Sequence, residues 1–299
     1  VSTSRLKVLI TGVQGYIGST LAREIHLNHK DNICVHGTDL VESVNQSQQY
    51  VEKYFKADVR NDWSLTMASL PEYDCVVHLA GLISVAESTN KPTEYTLTNV
   101  NGTINVLEWF NPRNFIFAST AGAFDPINPY AQTKILAESI IRQYAHEYTI
   151  FRFFNVAGSD GVNRQIGDST HLVRIAAETA AGKWNSMDLY GTDYDTSDGT
   201  CIRDYIHVSD LVDSIVKAIY NPKNTKYECL GNGKGYTNRE VINMMKKVSG
   251  QDFEVVERGR RTGDPAFLAL RPNEVSSLVE SKYTLEDMCR SAYLIAESE

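Results

Sequence analysis

Of the sixteen tyrosines in the chain, only Tyr130 has a lysine four residues later, Lys134. Positions i and i+4 share one face of a helix, so the two side chains point the same way. A free phenol titrates near 10 and is almost wholly neutral at pH 7. A nearby cation favours the phenolate, and each unit of pKa is worth about 1.4 kcal/mol. Reaching a pKa of about 7 takes roughly 4 kcal/mol, which Lys134 and one further cation could together supply. On those terms Tyr130 is expected to be a general base. Two hydroxyls, Ser119 and Thr120, end the apolar run Phe115-Ile-Phe-Ala118 shortly before it, and Pro129 suits the first turn of a helix carrying Tyr130 and Lys134.

The elements that must position these groups alternate in type. Leu6–Ile10, Ile33–Gly37, Tyr54–Ala57, Asp74–Leu79, Asn114–Ala118 and Thr149–Phe153 read as strands. Cys75-Val-Val-His-Leu79 and Phe115-Ile-Phe117 are apolar throughout, as in parallel strands covered on both faces. Helices are expected over Gly18–Leu27, Thr93–Glu108 and Pro129–Glu147. The last shows Ile135, Leu136, Ile140, Ile141 and Tyr144 at helical spacing. The order predicts an α/β fold, a doubly wound parallel sheet of Rossmann type, with Ser119-Thr120 at its carboxyl end, where such sheets bind ligands.

After about Asn155 the character changes. Gly158–Asp168 and Tyr190–Gly199 read as loops, with helices over Leu172–Gly182, Asp210–Tyr220 and Arg239–Val248. The stretch from Ser276 to Glu299 reads as one more helical element. A smaller α/β second domain is expected, over about 155–199 and 231–299. The first would comprise 1–154 with about 200–230.

Thr11-Gly12-Val13-Gln14-Gly15-Tyr16-Ile17-Gly18 follows the first strand and opens a helix. Gly12 suits a tight turn, Gly15 lets backbone amides approach a pyrophosphate, and Gly18 permits close helix–strand packing. The spacing is GxxGxxG, and a glycine-lined turn alone would look the same. Asp39 ends the second strand about 20 residues on, where an acid accepts hydrogen bonds from a ribose and repels a 2′-phosphate. No arginine follows in Gly37-Thr-Asp-Leu40, so NAD is expected rather than NADP. Asp58, after the third strand, suits either an adenine edge or a plain turn.

The totals exclude several classes. A length of 299 residues, 42% hydrophobic and 22% charged, suits a globular α/β protein of one large or two smaller domains. A net charge of −8 offers no basic stripe for nucleic acid. The five cysteines are widely spaced without a CxxC pair, so neither zinc nor a disulfide framework is read and no metal is expected. A reducing cytoplasm is the expected compartment. Val1-Ser-Thr-Ser-Arg5 carries no signal-peptide pattern, and no run of 18 apolar residues would span a membrane.

The chain resembles the extended short-chain dehydrogenase/reductases and, within them, the UDP-glucose 4-epimerases. The resemblance rests on the glycine loop, His78-Leu-Ala-Gly81, Asn99-Val-Asn-Gly102, the Ser119/Thr120–Tyr130–Lys134 group and Arg152-Phe-Phe-Asn155-Val-Ala-Gly158. It continues through Gly191 to Val208, Leu230-Gly-Asn-Gly-Lys-Gly-Tyr236 and Arg260-Arg-Thr-Gly-Asp264-Pro-Ala. The glycine loop and Tyr–Lys step specify the superfamily alone; the Gly191–Val208 stretch is the more specific.

The resemblance implies that Tyr130 takes the sugar 4-hydroxyl proton and that Thr120, with Ser119 nearby, bonds that oxygen. It implies a hydride moved from sugar C4 to NAD and back to the opposite face through a 4-keto sugar. Lys134 would hold the nicotinamide ribose. Gly12, Gln14, Gly15, Tyr16, Ile17, Gly18, Asp39, Asp58, Val59, Leu79, Ala80, Gly81, Asn99, Ala118 and Phe153 would line the cofactor. Arg203, Arg261 and Asn155 would grip the UDP diphosphate, Asp264 its ribose, and His171, Leu172 and Tyr190 the uracil side. Taken alone, each arginine reads more readily as a surface ion-pair partner, His171 as a helix-start residue and His207 as a packed histidine, while Asp264 reads equally as a turn residue. A homodimer is implied by the resemblance only.

Three departures stand out. Only ten positions separate Thr120 from Tyr130, where relatives carry a longer loop, often with a tyrosine near Phe124. Ile83 stands where many relatives have a lysine. The part after Ala269 lacks the usual Asp-Ser-x-Lys-Ala step, so nothing is carried over beyond Phe267, near the family's sugar-pocket wall. Ala121-Gly122 replace the acid pair that a dehydratase needs after the threonine, and the strand end lacks a decarboxylase's glutamate. A 4-epimerase of UDP-N-acetyl sugars stays open. A nucleotide-sensing regulator without turnover is the non-enzymatic alternative, though such proteins often lose the Tyr–Lys pair.

Overall fold

The runs that are apolar throughout become a parallel sheet. The computed structural model describes residues 5–41, 46–61, 70–165, 167, 171–261 and 263–299. Residues 1–4 of the N-terminal reading, part of the Gly158–Asp168 loop and Thr262 of the Arg260–Asp264 motif lie outside them. In chain order the elements begin with β1 (Leu6–Thr11), α1 (Tyr16–Asn28), β2 (Ile33–Asp39), β3 (Lys53–Lys56) and β4 (Cys75–His78). Then come α2 (Val85–Asn90), α3 (Pro92–Thr96), α4 (Gly102–Phe110), β5 (Asn114–Thr120), α5 (Pro129–Tyr144) and β6 (Glu147–Phe153). Next are β7 (Asn155–Ala157), α6 (Leu172–Ala180), β8 (Ser186–Tyr190), β9 (Ile202–His207), α7 (Val208–Tyr220) and β10 (Glu228–Leu230). The chain ends with β11 (Gly235–Thr237), α8 (Asn238–Ser249), β12 (Glu254–Arg258), β13 (Phe267–Leu268) and α9 (Leu285–Glu297).

The seven-stranded sheet runs β10-β6-β5-β4-β1-β2-β3. β1 pairs in parallel with β2 on one side and β4 on the other, so the strand order reverses there. That reversal is the switch point at which open α/β sheets leave a crevice past their carboxyl ends. Thr11 lies opposite both Thr38 and His78, and His78 opposite Phe117. The strand ends carrying the glycine loop, Asp39, Leu79 and Ser119 are thereby brought to one edge. Leu9, Val76, Phe115, Phe117 and Ile150 fill the core with Ala137 and Ile141 of α5.

Two compact units are resolved: 1–152 with 212–228, and 153–211 with 229–299. β9 thus lies in the second unit, where it pairs with β7 and β13 in parallel and β11 antiparallel, while β8 pairs with β12. The second unit's core is built from α6, α8 and α9, with Val173, Ala176, Val241, Met245, Met288 and Cys289 packed together.

Three expectations of local structure change. The single helix expected over Thr93–Glu108 is interrupted by a π-helical turn at Leu97–Asn101, which swings Asn99 toward the chain at Leu82. α5 buries part of the apolar spacing read from its sequence: Ile141 is buried and Ile140 packs against the core, while Leu136 is 52% and Tyr144 68% exposed. Ala131, Thr133, Lys134, Ala137 and Glu138 are buried beside Ile141. Between Ser276 and Glu299, α9 alone is helical, starting at Leu285 after its N-cap Thr284, which forms a reciprocal capping box with Asp287. Among the described residues, no helix is long and apolar enough to cross a membrane.

His78 sits inside the first unit with its ring between the Thr11 and Thr103 hydroxyls, at 2.7 and 3.1 Å. Burial, and then the charge of Lys134, push it down to about 3. Below its ordinary value of about 6.5, the unfolded chain takes up a proton that the folded ring refuses. Stability from this group is therefore present at neutral pH and is lost as pH falls from about 6.5 toward about 3, roughly 2 kcal/mol of it by pH 5. Burial pushes the Asp204 carboxyl the other way, up to about 6, so a variant isolates the histidine best. The loss of melting temperature between pH 7 and pH 5 is expected to be smaller in His78→Gln than in the parent, measured by thermal melts at both pH values; equal losses contradict it.

Candidate functional site

Gly12 leaves β1 with φ +73°, in the left-handed region that favours glycine. A Cβ there would stand 2.8 Å from the Ala80 amide nitrogen, so the chain at 79–80 approaches as closely as it does only because position 12 is bare. A Cβ on Gly18 would collide with the Gly12 carbonyl. The loop is tied to β2 by Gly12 N–H donating to the Thr38 carbonyl (2.9 Å) and by Gln14 N–H donating to the Asp39 carboxylate (2.9 Å). α1 then begins at Tyr16 with Gly15 as its N-cap, no side-chain cap and no acid in its first turn. Uncapped amides at the positive end of a helix suit an anionic pyrophosphate. This chain's own geometry therefore fits a dinucleotide at Gly12, Gly15, Tyr16, Ile17 and Gly18, with Asp39 at the neighbouring strand end.

Asp58 and Val59 follow β3. Asp58 is gripped by its neighbour Arg60 through Nε and Nη2, at 2.6 to 3.0 Å, and that bond holds its carboxyl below the usual range. Val59 is buried, and its carbonyl accepts from Asn105. Leu79 and Ala80 are fixed by Thr11, through its carbonyl and hydroxyl respectively. Asn99 clamps Leu82 from both sides, accepting from its N–H (2.8 Å) and donating to its carbonyl (3.0 Å), and also donates to Thr133 on α5. A Cβ on Gly81 would meet Asn99 Oδ1 at 2.9 Å and Lys134 Nζ at 3.4 Å. The chain at 79–81, the π turn and the α5 face thus converge on one place.

α5 starts where Asn128 accepts from the Ala131 amide, with Pro129 in the first turn. It meets the end of β5 at three successive residues. Lys134 donates to the Ala118 carbonyl (2.9 Å), the Ser119 hydroxyl donates to Glu138 (2.6 Å), and the Thr120 hydroxyl, which accepts from the Gly122 amide (3.1 Å), lies by the Tyr130 phenol. Tyr95 meets the Tyr130 ring edge-on at 6.4 Å. Phe153 is the last residue of β6 and half-buried.

Burial pushes the Tyr130 phenol up to about 12, opposed by the nearby Thr120 hydroxyl, so Lys134 by itself does not give the acidity expected of the tyrosine with Lys134 and a second cation together. Burial also brings Lys134 down to about 8 despite the charge of Glu138. One expectation is corrected by this geometry. Ser119 does not present its hydroxyl beside Thr120, because Glu138 takes it into the interior.

The residues expected at the UDP part lie in the second unit. Asn155 donates to the Asp204 carbonyl at 3.0 Å. Arg203 and Asp264 pair with each other, and Arg203 also donates to the Ile202 carbonyl. The Arg261 guanidinium lies over the Tyr190 ring at 3.8 Å, a cation–π contact. His171 is the N-cap residue of α6 without making a side-chain cap, and burial lowers its pKa; Leu172 is the first residue of that helix. His207 stacks on Tyr283 at 4.0 Å, as the packed histidine its motif suggested. Phe267 is 60% exposed.

The residues missed from sequence are Glu138 and the role of Arg152. Glu138 lies four positions past Lys134, on the same face, so the i+8 spacing from Tyr130 was the available signal. Its partner Arg152 sits on β6, in a motif noted only for its likeness.

The model of the NAD dependent epimerase/dehydratase family matches residues 8–229. The chain is 33% identical to the UDP-glucose 4-epimerase of Lactobacillus helveticus over 291 residues, 88% of either chain. It is similar to the UDP-glucose 4-epimerase of Bifidobacterium longum solved in complex with NAD+ and UDP, with TM-score 0.85, 28% identity and coverage of 96% of this chain and 97% of that one. It is also similar to the UDP-Glc/GlcNAc 4-epimerase of Campylobacter jejuni, with TM-score 0.80, 32% identity and coverage of 98% and 99%. With the switch-point crevice, the bare glycine turn and the Tyr–Lys helix all in register with that match, the chain belongs to the NAD dependent epimerase/dehydratase family.

Proposed function

We propose that this protein interconverts UDP-glucose and UDP-galactose with bound NAD, and that Tyr130 is the base at the sugar 4-hydroxyl. The observation that carries this is the α5 arrangement: one helix presents Tyr130 by the Thr120 hydroxyl and Lys134 bonded to Ala118 at the carboxyl end of the sheet. The first unit serves as the dinucleotide-binding domain. Gly12, Gln14, Gly15, Tyr16, Ile17 and Gly18 hold the pyrophosphate, Asp39 the adenosine ribose, and Asp58 and Val59 the adenine side. Leu79, Ala80, Gly81, Asn99, Ala118 and Phe153 line the remainder, and Lys134 holds the second ribose. NAD, when bound, would accept and return a hydride at sugar C4 and bring a pyridinium positive charge to the site.

Tyr130 takes the 4-hydroxyl proton as C4 is oxidised to the ketone. It holds that proton and gives it back when C4 is reduced from the opposite face. Thr120 keeps the phenol oxygen oriented throughout. Lys134 alone leaves Tyr130 with a raised pKa, so its basicity depends on the second positive charge. The second unit serves as the UDP-sugar-binding domain. Arg203, Arg261 and Asn155 hold the diphosphate, with guanidinium forks matched to phosphate oxygens, Asp264 the ribose, and His171, Leu172 and Tyr190 the uracil. Binding energy is thus placed away from the sugar, which must turn over between the two transfers.

A wider substrate range is the second reading. Only ten positions link Thr120 to Tyr130, and Phe124 in that link folds back on Tyr227, with ring centroids 5.5 Å apart. The short link adds little bulk of its own, which favours a sugar as large as an N-acetylhexosamine. The protein acts as a homodimer of a reducing cytoplasm, the first of which light scattering tests.

Incubation with UDP-galactose and separation of the sugar nucleotides should show UDP-glucose, and mass spectrometry should find NAD carried through purification. No conversion at high protein concentration with added NAD rejects the assignment. Tyr130→Phe is expected to lose most of the activity, about a thousandfold, while binding UDP within about twofold of the parent by calorimetry; lost binding would instead point to a structural tyrosine. Without dinucleotide, the Tyr130 phenol should stay neutral to about pH 10 or above. Ultraviolet titration of the parent against Tyr130→Phe measures this, and a phenolate near neutral pH in the dinucleotide-free protein would refute it.

A further inference from the structure

Glu138 is wholly buried on the face of α5 that carries Tyr130 and Lys134, at i+8 and i+4 from them. A buried carboxylate survives only if its charge and lone pairs are satisfied. Here the partners come from three directions. Arg152 of β6 forms a two-point pair, Nε to Oε1 and Nη2 to Oε2, both at 2.8 Å. Ser119 of β5 donates to Oε1 at 2.6 Å. Arg142, one turn further along α5, donates to Oε2 at 3.2 Å. Arg152 is itself locked, its guanidinium lying 3.9 Å from the Tyr227 ring and 4.8 Å from the Phe124 ring. Phe124 belongs to the short link between Thr120 and Tyr130, so the same pair that holds the helix also anchors that link.

We propose that Glu138 is a positioning residue for the epimerase reaction: it fixes the β5 end through Ser119, the 121–129 link through Arg152, and the charge of Lys134 along its own helix. The inference rests on the reading of Tyr130 and Lys134 given above. Its consequence for Thr120 is direct, because Thr120 is bonded to the preceding residue, which Glu138 holds, and its hydroxyl meets the phenol. A displacement of about 1 Å at such a position can cost a hundredfold in rate without changing grip on a remote part of the substrate.

The consequence for Lys134 is electrostatic. The charged and titratable groups around it are Tyr130 and Glu138 on α5 and His78 on β4; Arg152 and Arg142 reach it only through the shared carboxylate. His78 stays neutral at working pH. Glu138 is therefore the one anion among these groups, and it favours the charged ammonium against the cost of burial.

Glu138→Gln keeps the shape and removes the charge. The parent's activity toward UDP-galactose is measured first; its absence would sink the functional reading and this one together. With an active parent, Glu138→Gln, shown folded by circular dichroism, is expected to lose roughly tenfold to a hundredfold in kcat with KM changed less than about twofold. The alkaline limb of its kcat profile should move to lower pH, since loss of the anion makes Lys134 easier to deprotonate. Ser119→Ala removes one hydrogen bond and leaves the charge. It should lose about threefold to tenfold in kcat with the alkaline limb unmoved. Lowered melting temperature with unchanged kcat and pH profile in Glu138→Gln makes the residue merely structural and overturns the proposal. If Glu138→Gln does not fold, Ser119→Ala decides: kcat within about twofold of the parent overturns the proposal, and a larger loss at constant KM supports it.

Discussion

A buried carboxylate held by two guanidinium groups and a hydroxyl underlies the arrangement of the first unit's chemistry. Taking Glu138 and Arg152 out of water costs several kcal/mol per ion before their attraction is counted. That cost is offset because the carboxylate oxygens accept four charge-assisted or hydroxyl bonds and the guanidinium lies against the Tyr227 and Phe124 rings. Such a pair has little freedom to shift. Through it β5, β6 and α5 share one geometry, and Lys134 and Tyr130 inherit that geometry as neighbours on the same helical face.

The second constraint is steric. Gly12 and Gly18 let the first turn of α1, the end of β1 and the chain at 79–80 approach more closely than any side chain allows. α1, which starts without a side-chain cap, then follows the strand beside which the sheet order reverses. Rigid backbone contacts of this kind suit an invariant dinucleotide. Hydrogen-bonded side chains such as Asn99, which locks Leu82 and α5 together, suit the groups that must keep their orientation during a proton transfer.

The electrostatics of Tyr130 and Lys134 run opposite to the simplest expectation from their spacing. Burial raises the phenol and lowers the ammonium, so each is pushed toward its neutral form. A tyrosine so placed is a poor base until another positive charge arrives. On the function proposed for this protein, proton abstraction by Tyr130 would depend on the positive charge of a bound dinucleotide. In the second unit, Arg203 with Asp264 and Arg261 with Tyr190 keep each other ordered.

The six strands, the glycine turn, Asp39 and the Tyr–Lys pair were legible in the amino-acid sequence because each rests on local pattern: apolar runs, bare glycines, i and i+4 spacing. Fold class followed from those alone, while the family likeness needed the longer Gly191–Val208 stretch as well. Which face of α5 turns inward was not legible, since Leu136 and Tyr144 look more apolar than Lys134 and Glu138, yet the latter two are buried. Only the tertiary structure could decide that, because the partners that make burial of a charge tolerable come from β5 and β6, nineteen and fourteen residues away for Ser119 and Arg152. The same holds for Ser119, whose hydroxyl goes to Glu138, and for the π turn that aims Asn99. Local pattern reports how a segment is built; long-range hydrogen bonding and desolvation determine what its polar groups are for.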